Sequence, residues 1–546
     1  MSKKAKMLAP ADGGHAGVVY TKQWVVELIL DLAGYTPDKR LFEQVAVEPS
    51  AGDGAFLLGM IRRLTESCSR HQVALDTAAD ALRAYEIDSK AVAKAVDSVA
   101  AELGKLGHPP TLSRQLASQW IRHEDFLDAS LQFPSADVIA GNPPYIRLEE
   151  IPEDKAEMYR NTYRTMRGRA DLYVAFYEAA LAQLRPGGIC AFICADRWML
   201  NDYGSSLREF ITGAYNVQYL IDAHDVDAFE AEVSAYPAIT VISASTQGGV
   251  VVGKALPGIE NRTTGDVAED IKLVRPSPTL RVGKFDDWFE GDDPWPCSSP
   301  ESLSLLRNLE SRFPTLEVAG DTVVGIGVAS GADEVYVTRG KPDIEDDRAL
   351  PLAMASDLQD GRVDWSGHYL VNPWNEDGLI DLPKYPKLAA YLEPHRASLA
   401  ARHTAKGRPH VWHKTIDRVN LSLLRQPKLY IPDIKDRLSP SLDQGNTYPH
   451  HNVYWITSKS WDLRVLGGLL MSSVAEFFIR SYGVKMRGGF FRFQAQYLRR
   501  IRVPAPNTIP AHQARQLVTA FETQNVALAN EVAFQIYGIT AIPRAA

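Results

Sequence analysis

Short apolar runs alternate with stretches in which apolar positions recur at helical spacing, from about residue 20 to residue 245. The stretch TKQWVVELILDLAG has apolar residues every three or four positions and ends in Gly34, which predicts a helix with a glycine stop. The stretch QVAVEPSAGDGAFLLGMIRRL predicts a strand, a tight glycine-containing turn and a helix. Repeated strand–helix alternation is typical of a doubly wound, mostly parallel sheet in an α/β fold.

The same pattern continues through the first half of the chain. Further helices are predicted in SKAVAKAVDSVAAEL and in DLYVAFYEAALAQLRPGG, where Pro-Gly-Gly is expected to end the helix. Further strands are predicted in ALRAYEID, WIRHEDFLD, ADVIAGNPPY, ICAFICA, VQYLIDAHD and AITVISAS.

The regular alternation stops at a glycine-rich, irregular stretch, residues 245–266. A chain of 546 residues exceeds what one hydrophobic core usually supports, so more than one domain is expected. We predict a mobile N-terminal arm over residues 1–14 and an α/β domain over residues 15–250. A mixed α+β domain over residues 275–546, ending in a helical segment, completes the prediction.

Charge is distributed unevenly along the chain. The net charge of −8 argues against a nucleic-acid partner, but residues 401–510 contain 18 Lys and Arg against 6 Asp and Glu, a local balance of +12. The remainder then carries −20. A basic stretch on an acidic chain favours phosphate binding, and a solvated basic face is the alternative.

Cysteine usage and hydropathy favour a cytoplasmic protein. No apolar run approaches the length needed to span a bilayer, and the basic N-terminus is not followed by the apolar segment of a secretory signal. The four cysteines show no paired CxxC spacing, which predicts a reducing compartment and no metal site. Cys190 and Cys194 lie in an apolar strand pattern and are expected to be core residues.

Candidate chemistry gathers where the predicted strands end, because ligands of open α/β sheets bind at the carboxyl ends of strands. The first strand leads into Glu48-Pro49-Ser50-Ala51-Gly52-Asp53-Gly54. Glycines there let a ligand approach the backbone closely, whereas the two carboxylates would repel a pyrophosphate. This turn therefore suits a ligand with a cationic end.

The next two strands also end in acidic residues. Glu86, followed by Ile87, can accept both hydroxyls of a ribose. Asp125 and Phe126 combine an acceptor with a flat apolar surface, as an adenine ring with its amine requires. The three strand ends describe a nucleoside with a positive tail and no phosphate, which S-adenosylmethionine fits better than NAD or ATP.

A rigid turn follows the next strand. DVIAGNPPYIRLEE sets Asn142, Pro143, Pro144 and Tyr145 directly after a buried strand. Two prolines in succession force an extended conformation and hold the flanking groups in fixed directions. An ordinary Asn-Pro turn closing a strand is the alternative interpretation.

The motifs VAVEPSAGDGAF, AYEID, HEDF and GNPPY, in that order, resemble the gamma-class N6-adenine DNA methyltransferases of restriction–modification systems, the TaqI-like group. VVYTKQWVVELIL and AFEAEVSAYPAITVI resemble two further motifs of that family. The resemblance implies the class I S-adenosylmethionine-dependent methyltransferase fold and double-stranded DNA as partner, with a cognate restriction endonuclease acting on the same site. It also implies that Thr21 holds the methionine portion of the cofactor and that Phe229 faces the target base.

The same matching implies roles for the strand-end residues. Glu48 would lie near the cofactor amine, Glu86 on the ribose, and Asp125 with Phe126 on the adenine. Asn142 and the carbonyl of Pro143 would grip the amine of a flipped adenine, and Tyr145 would stack on the base. The spacings between these motifs are longer than the compact family members lead us to expect, so longer helical connections between the strands are predicted.

The C-terminal half is similar to the target-recognition domains of longer relatives in this family. Its most informative segment, SYGVKMRGGFFRFQAQYLRRIRVPAP, interleaves basic and aromatic residues. The aromatic residues are expected to be core. DNA contact is expected from Lys485, Arg487, Gly488, Gly489 and Arg492.

Two other functions are compatible with the motifs. A methyltransferase of RNA or of protein glutamine could use the same Asn-Pro-Pro-Tyr turn, because a side-chain amide also presents a planar amine. The long C-terminal domain argues against the compact protein-glutamine enzymes. A non-catalytic DNA-binding subunit could keep the fold, but the intact turn argues against it.

Overall fold

The computed structural model describes residues 19–129, 136–231, 236–483 and 491–543. The predicted arm, residues 1–14, lies outside the described residues. The chain divides into two units, and the division falls after Leu303.

Among the described residues, the first unit is built on one nine-stranded sheet with the strand order β3-β2-β1-β4-β5-β7-β6-β8-β9. Its strands are β1 (Ala46–Glu48), β2 (Leu82–Glu86), β3 (Ile121–His123), β4 (Ala136–Gly141), β5 (Leu184–Ala195), β6 (Asn216–Asp222), β7 (Pro237–Ser243), β8 (Val250–Ala255) and β9 (Leu280–Phe285).

Strand direction explains where a ligand can bind. β1 pairs in parallel with both β2 and β4, and β4 pairs in parallel with β5. The chain winds from β1 outward through β2 to β3 and then returns to β4 on the other side of β1, which makes a topological switch point between β1 and β4. Such points leave a crevice at the carboxyl ends of the strands. β7 is antiparallel to β5 and β6, and β9 is antiparallel to β8, whereas the other strand pairs of this sheet are parallel. The sheet is therefore mostly parallel, and the predicted fold class is confirmed.

Helices connect these strands. Those of the first unit are α1 (Gln23–Leu32), α2 (Ala55–Arg70), α3 (Ser89–Lys105), α4 (Pro110–Trp120), α5 (Phe126–Ala129), α6 (Glu153–Thr162), α7 (Tyr173–Ala182), α8 (Arg197–Leu200), α9 (Ser205–Ala214) and α10 (Thr264–Lys272), and α11 (Pro300–Arg312) spans the division. Two long helices, α3 and α4, connect β2 with β3. They take up the extra length between the motifs while β2 and β3 stay paired, with Glu86 opposite His123.

Two details differ from the sequence prediction. The first unit extends well past the predicted end at residue 250, because β8 runs parallel to β6 and β9 pairs with β8. The glycine-rich stretch therefore contains a strand of the sheet, β8, which periodicity alone does not distinguish from a linker. Pro-Gly-Gly does not close α7 either, since that helix ends at Ala182 and β5 already begins at Leu184.

The second unit is of mixed α+β type, as predicted. Its described strands form sheets with the orders β10-β22-β18-β20-β14-β13 and β11-β15-β12-β21, and two further pairs, β16-β17 and β19-β23. They are β10 (Thr322–Ile326), β11 (Val337–Arg339), β12 (Ala349–Ala353), β13 (Leu358–Gln359), β14 (Arg362–Val363), β15 (His368–Val371), β16 (Trp374–Asn375), β17 (Gly378–Leu379), β18 (Lys428–Pro432), β19 (Ile434–Lys435), β20 (Ser441–Asp443), β21 (Tyr448–Pro449), β22 (Val453–Ser458) and β23 (Phe491–Arg492).

Helices complete the second unit, including the predicted C-terminal helical segment. They are α12 (Asp333–Tyr336), α13 (Pro386–Leu392), α14 (Arg396–Ala401), α15 (Leu421–Arg425), α16 (Leu463–Leu470), α17 (Ser473–Tyr482), α18 (Ala495–Leu498), α19 (Ala511–Glu522) and α20 (Val526–Tyr537). Across the described ranges of both units, no helix has the length and apolarity needed to cross a membrane.

Candidate active site

Glu48 ends β1 as a buried carboxyl, with 2% of the residue exposed. The backbone N–H of Leu57, in the first turn of α2, donates to it. Its atom Oε2 is buried and has no hydrogen-bond partner among the described residues. Burial raises the pKa of Glu48 well above its ordinary value, and the nearby carboxylates of Asp53 and Glu86 add to the rise. The site therefore contains a buried acid that a cationic ligand group would stabilise in its charged form.

The glycine turn that follows is open to a ligand. Gly52 and Gly54 have φ angles of +54° and +94°, and no atom lies within 4 Å of where a Cβ would stand on either. The Gly52 N–H donates to Oε2 of Glu86 (2.8 Å), and the Asp88 N–H donates to Oε1 (2.8 Å). Glu86 thereby ties the glycine turn to the end of β2. Burial also raises the pKa of Asp53, between the two glycines.

The apolar residues at these strand ends differ in solvent exposure. Ile87 is 62% exposed and offers an open apolar surface beside Glu86. Phe126 is only 1% exposed, with its ring stacked on Phe176 (centroids 5.6 Å apart) and meeting the edge of Tyr85 (5.5 Å). Phe126 belongs to the core in this structure, and its contact with an adenine ring stays a prediction.

Asp125 accepts hydrogen bonds from side chains of α6, a contact that the sequence did not predict. Its Oδ2 accepts hydrogen bonds from Lys155 Nζ (2.9 Å) and from the Tyr159 hydroxyl (2.5 Å), both on α6. Its Oδ1 accepts from the Leu127 N–H (3.0 Å). The pair with Asp125 raises the pKa of Lys155. A role for Asp125 with the adenine amine stays a prediction, because these contacts already engage the carboxylate.

Asn142 is fixed from several sides at the end of β4. Gly141 precedes it, and a Cβ there would stand 3.2 Å from Pro49 Cδ, so the end of β4 packs tightly against the turn after β1. The Ser50 hydroxyl donates to the Asn142 carbonyl (3.1 Å). Close packing of the two strand ends thus brings the two predicted motifs together.

The side chain of Asn142 has a defined orientation. Its Nδ2 donates to the Val19 carbonyl (2.9 Å) and to Thr21 Oγ1 (3.1 Å). Its Oδ1 is buried and, among the described residues, has no hydrogen-bond partner. A buried acceptor without a partner is costly unless a ligand donates to it, so Oδ1 marks a position for a donor group.

Tyr145, three residues after Asn142, contacts two other aromatic rings. The ring of Tyr145 meets the ring of Phe229 edge to face, with centroids 6.4 Å apart. It also meets the ring of Tyr173 edge to face, with centroids 6.1 Å apart. Thr21 and Phe229 form an antiparallel bridge, which brings the N-terminal segment to the same place. Burial raises the pKa of Tyr145 well above its ordinary value, with smaller contributions from Cys194 and Asp196. Pro143 is buried and Pro144 half-buried in the turn between Asn142 and Tyr145.

Some residues at this site were missed by sequence reasoning. Asp171 Oδ2 accepts hydrogen bonds from the hydroxyls of Tyr173 (2.9 Å) and Tyr203 (3.1 Å), which supports the ring beside Tyr145. Tyr20 is 39% exposed, and its pKa is raised by burial and by the carboxylates of Asp53 and Glu86. In the sequence, Tyr20 could have been recognised as a site residue because it directly precedes Thr21.

The predicted DNA-binding residues are only partly described. Arg492, on β23, forms an ion pair with Asp433 (2.6 Å), and β23 pairs with β19. Lys485, Arg487, Gly488 and Gly489 lie outside the described residues.

The chain is similar over nearly its whole length to curated proteins. It is 41% identical to the type II methyltransferase M.XhoI of Xanthomonas vasicola, across 97% of this chain and 98% of that protein. The chain belongs to the type II methyltransferases of restriction–modification systems. This methyltransferase is also 41% identical to the type II methyltransferase M.PaeR7I of Pseudomonas aeruginosa, across 97% of this chain and 93% of the relative. The family resemblance stated from the motifs is confirmed.

Family descriptions match both units of the methyltransferase. Residues 87–229 match the Eco57I restriction-modification methylase, and residues 390–503 match the TaqI-like C-terminal specificity domain. Among solved structures, the type IIL restriction-modification enzyme MmeI in complex with DNA is similar, with a TM-score of 0.55, 11% identity, and coverage of 95% of this chain and 74% of that chain. At this level of identity the likeness concerns the fold alone.

Proposed function

We propose that this methyltransferase transfers a methyl group from S-adenosylmethionine to the N6 amine of an adenine in double-stranded DNA. We further propose that it is the modification enzyme that protects the site cut by a cognate restriction endonuclease. The observation that carries the proposal of an amine as methyl acceptor is the buried, unpartnered Oδ1 of Asn142, three residues before Tyr145, whose ring meets that of Phe229. The choice of adenine rests on the resemblance of the motif order.

The first unit offers groups that fit the cofactor. Oε2 of Glu48 is a buried acceptor for the methionine amine, and the glycine turn leaves space for close approach. Glu86 keeps lone pairs for the ribose, because a carboxylate offers about four acceptor positions and two are used by backbone N–H groups. The exposed Ile87 provides apolar surface for the adenine ring. When bound, S-adenosylmethionine supplies a methyl group on a positively charged sulfur.

The chain's part in catalysis is positioning. The lone pair of an aromatic amine is delocalised into its ring, so two acceptors that grip its hydrogens favour a more pyramidal nitrogen. Asn142 Oδ1 and the Pro143 carbonyl are proposed as these acceptors, since Nδ2 of Asn142 is already anchored to Val19 and Thr21. A preorganised arrangement of this kind needs no rearrangement in the transition state.

The aromatic rings are proposed to hold the base outside the duplex. The adenine amine is paired and stacked within DNA, so the base must leave the helix to reach the strand end. Tyr145 would stack on one face and Phe229 would contact the other. The second unit, which matches a specificity domain, would select the DNA sequence.

Nucleoside analysis tests the acceptor directly. The protein is incubated with labelled S-adenosylmethionine and duplex DNA, and the DNA is then digested to nucleosides. We expect the label only in the deoxyadenosine that carries a methyl group on N6. Parallel reactions with RNA and with a glutamine-containing peptide test the alternative acceptors, and label in either instead of DNA would overturn the proposal.

Cofactor binding is expected to release a proton from Glu48. Burial raises its pKa in the free protein, and the cationic methionine amine would favour the charged carboxylate, so affinity should rise with pH until the raised pKa is passed. Calorimetry in buffers of different ionisation enthalpy measures this release. Glu48→Gln should abolish it, whereas Glu43→Gln, an exposed acid of the same unit, should not. Identical binding heats in all buffers for the parent would contradict the assignment.

Neutralising the basic residues between positions 485 and 492 is expected to weaken DNA binding. Lys485→Ala with Arg487→Ala should lower duplex affinity and reduce the dependence on salt by about two phosphate contacts, because each neutralised contact releases a counterion. Arg492→Ala also breaks the ion pair with Asp433, so it is measured separately. Arg515→Ala, at an exposed position of α19, serves as the control. An unchanged salt slope with the double variant would count against these residues.

A further inference from the structure

Three segments that are far apart in sequence bring metal-binding side chains together in the first unit. Asp196 follows β5, His224 follows β6 after one intervening residue, and Cys297 lies in the loop after β9. One ligand atom from each of the three lies within 4.8 Å of the others. Within the group, His224 Nε2 lies 3.0 Å from Asp196 Oδ2.

The loop that carries Cys297 is anchored. Trp295 is fully buried, and its ring lies 5.2 Å from that of Trp198. The Trp295 N–H donates to the Met199 carbonyl (2.8 Å), beside α8. Cys297, two residues further along, is therefore held near Asp196 by packing rather than by a chance approach of a loose segment.

The histidine is oriented as metal-binding histidines are. Its Nδ1 lies 3.4 Å from Asp222 Oδ1, and the His224 backbone N–H donates to the same oxygen (2.9 Å). A carboxylate on one ring nitrogen fixes the tautomer that leaves a lone pair on the other. Asp222 thus directs the Nε2 lone pair of His224 towards Asp196 and Cys297.

Carboxylates are concentrated around this histidine. Lys254 lies 3.8 Å from Asp222 and 2.7 Å from Asp225, and Asp196 lies beside His224 itself. Asp196 and Asp222 are buried. Buried carboxylates require compensating charge, and a divalent cation bound next to them supplies it.

We propose that Asp196, His224 and Cys297 bind one zinc ion, which leaves a fourth coordination position open. Sulfur, imidazole and carboxylate are the ligands that zinc takes in proteins, at distances of about 2.0–2.3 Å. The three ligand atoms already lie within 4.8 Å of one another, so small side-chain shifts would place them around one ion. The ion would cross-link the end of β5, the end of β6 and the loop after β9. Local cysteine spacing predicted no metal site, because these three ligands are distant in sequence and meet only in the folded chain.

Zinc affinity tests the proposal. The full chain, purified without a metal-binding tag and stripped with a chelator, is titrated with zinc in competition with a chromogenic chelator. We expect one equivalent to bind. Asp222→Asn should weaken binding by about 10–100-fold, as loss of a carboxylate behind a histidine ligand typically does, and Cys297→Ser should weaken it further. Cobalt in place of zinc should give a thiolate-to-metal charge-transfer band that Cys297→Ser removes.

A second cluster, Asp333 with His450 and His451, provides the control. His451→Ala should leave the stoichiometry and the cobalt spectrum unchanged. The proposal fails if the stripped protein takes up no zinc. It also fails if the bound cobalt shows no thiolate band, or if His451→Ala rather than Cys297→Ser removes the binding.

Discussion

Asn142→Ala is expected to lower methyl transfer by at least about 10²–10³-fold, the range found when one preorganised transition-state partner is removed. Affinity for the cofactor and for DNA should stay within a few-fold of the parent. The two ends of this side chain have different partners. Nδ2 donates hydrogen bonds to Val19 and Thr21, whereas Oδ1 is a buried acceptor that remains for the substrate amine. Single-turnover kinetics with labelled cofactor measure the loss.

Two further variants make this result specific. Asn261→Ala, at an exposed position of the same unit, should leave every activity unchanged. Tyr145→Ala should reduce the rate less than Asn142→Ala but loosen the extruded base, because stacking contributes about 1–3 kcal/mol per base. A fluorescent base analogue at the target position reports that loosening. If Asn142 only closed a turn, its loss would lower thermal stability and all binding together, and a folded Asn142→Ala protein with full transferase activity would refute the proposed mechanism.

Glu86→Ala is expected to weaken S-adenosylmethionine binding by well over tenfold. The change removes a charged acceptor for two ribose hydroxyls, and charge-assisted hydrogen bonds are the stronger ones. It also frees the Gly52 and Asp88 N–H groups that this carboxylate holds, so the glycine turn loses its tie to β2. Calorimetry on the parent and the variant measures the affinity directly.

A conservative variant separates the two effects. Glu86→Gln keeps an oxygen for one backbone N–H but removes the charge, so we expect a loss of cofactor affinity smaller than that of Glu86→Ala. Glu124→Ala, at an exposed position beside the end of β3, is the matched control and should bind normally. Unchanged affinity in Glu86→Ala would mean that the long spacing between the motifs had misaligned this residue.

The linear pattern alone was enough to predict the α/β architecture and to locate the candidate motifs at strand ends. Strand periodicity marked β1, β2 and β4, and each ended next to the residues with candidate chemistry. Such signals are local, since a strand and the turn after it are neighbours in sequence, and a parallel sheet brings successive strand ends to one edge. The acidic turn at Glu48 and the rigid turn at Asn142 could therefore be assigned to one site from the order of residues along the chain.

Only the tertiary structure decided which side chains support that site. Lys155 and Tyr159 reach Asp125 from α6, Phe126 is buried in the core, and the glycine-rich stretch contains β8, with β9 pairing beyond it. No local spacing encodes these contacts, because each depends on how distant segments pack. The meeting of Asp196, His224 and Cys297 has the same origin: two strand ends and an anchored loop converge in space while their residues stay far apart along the chain.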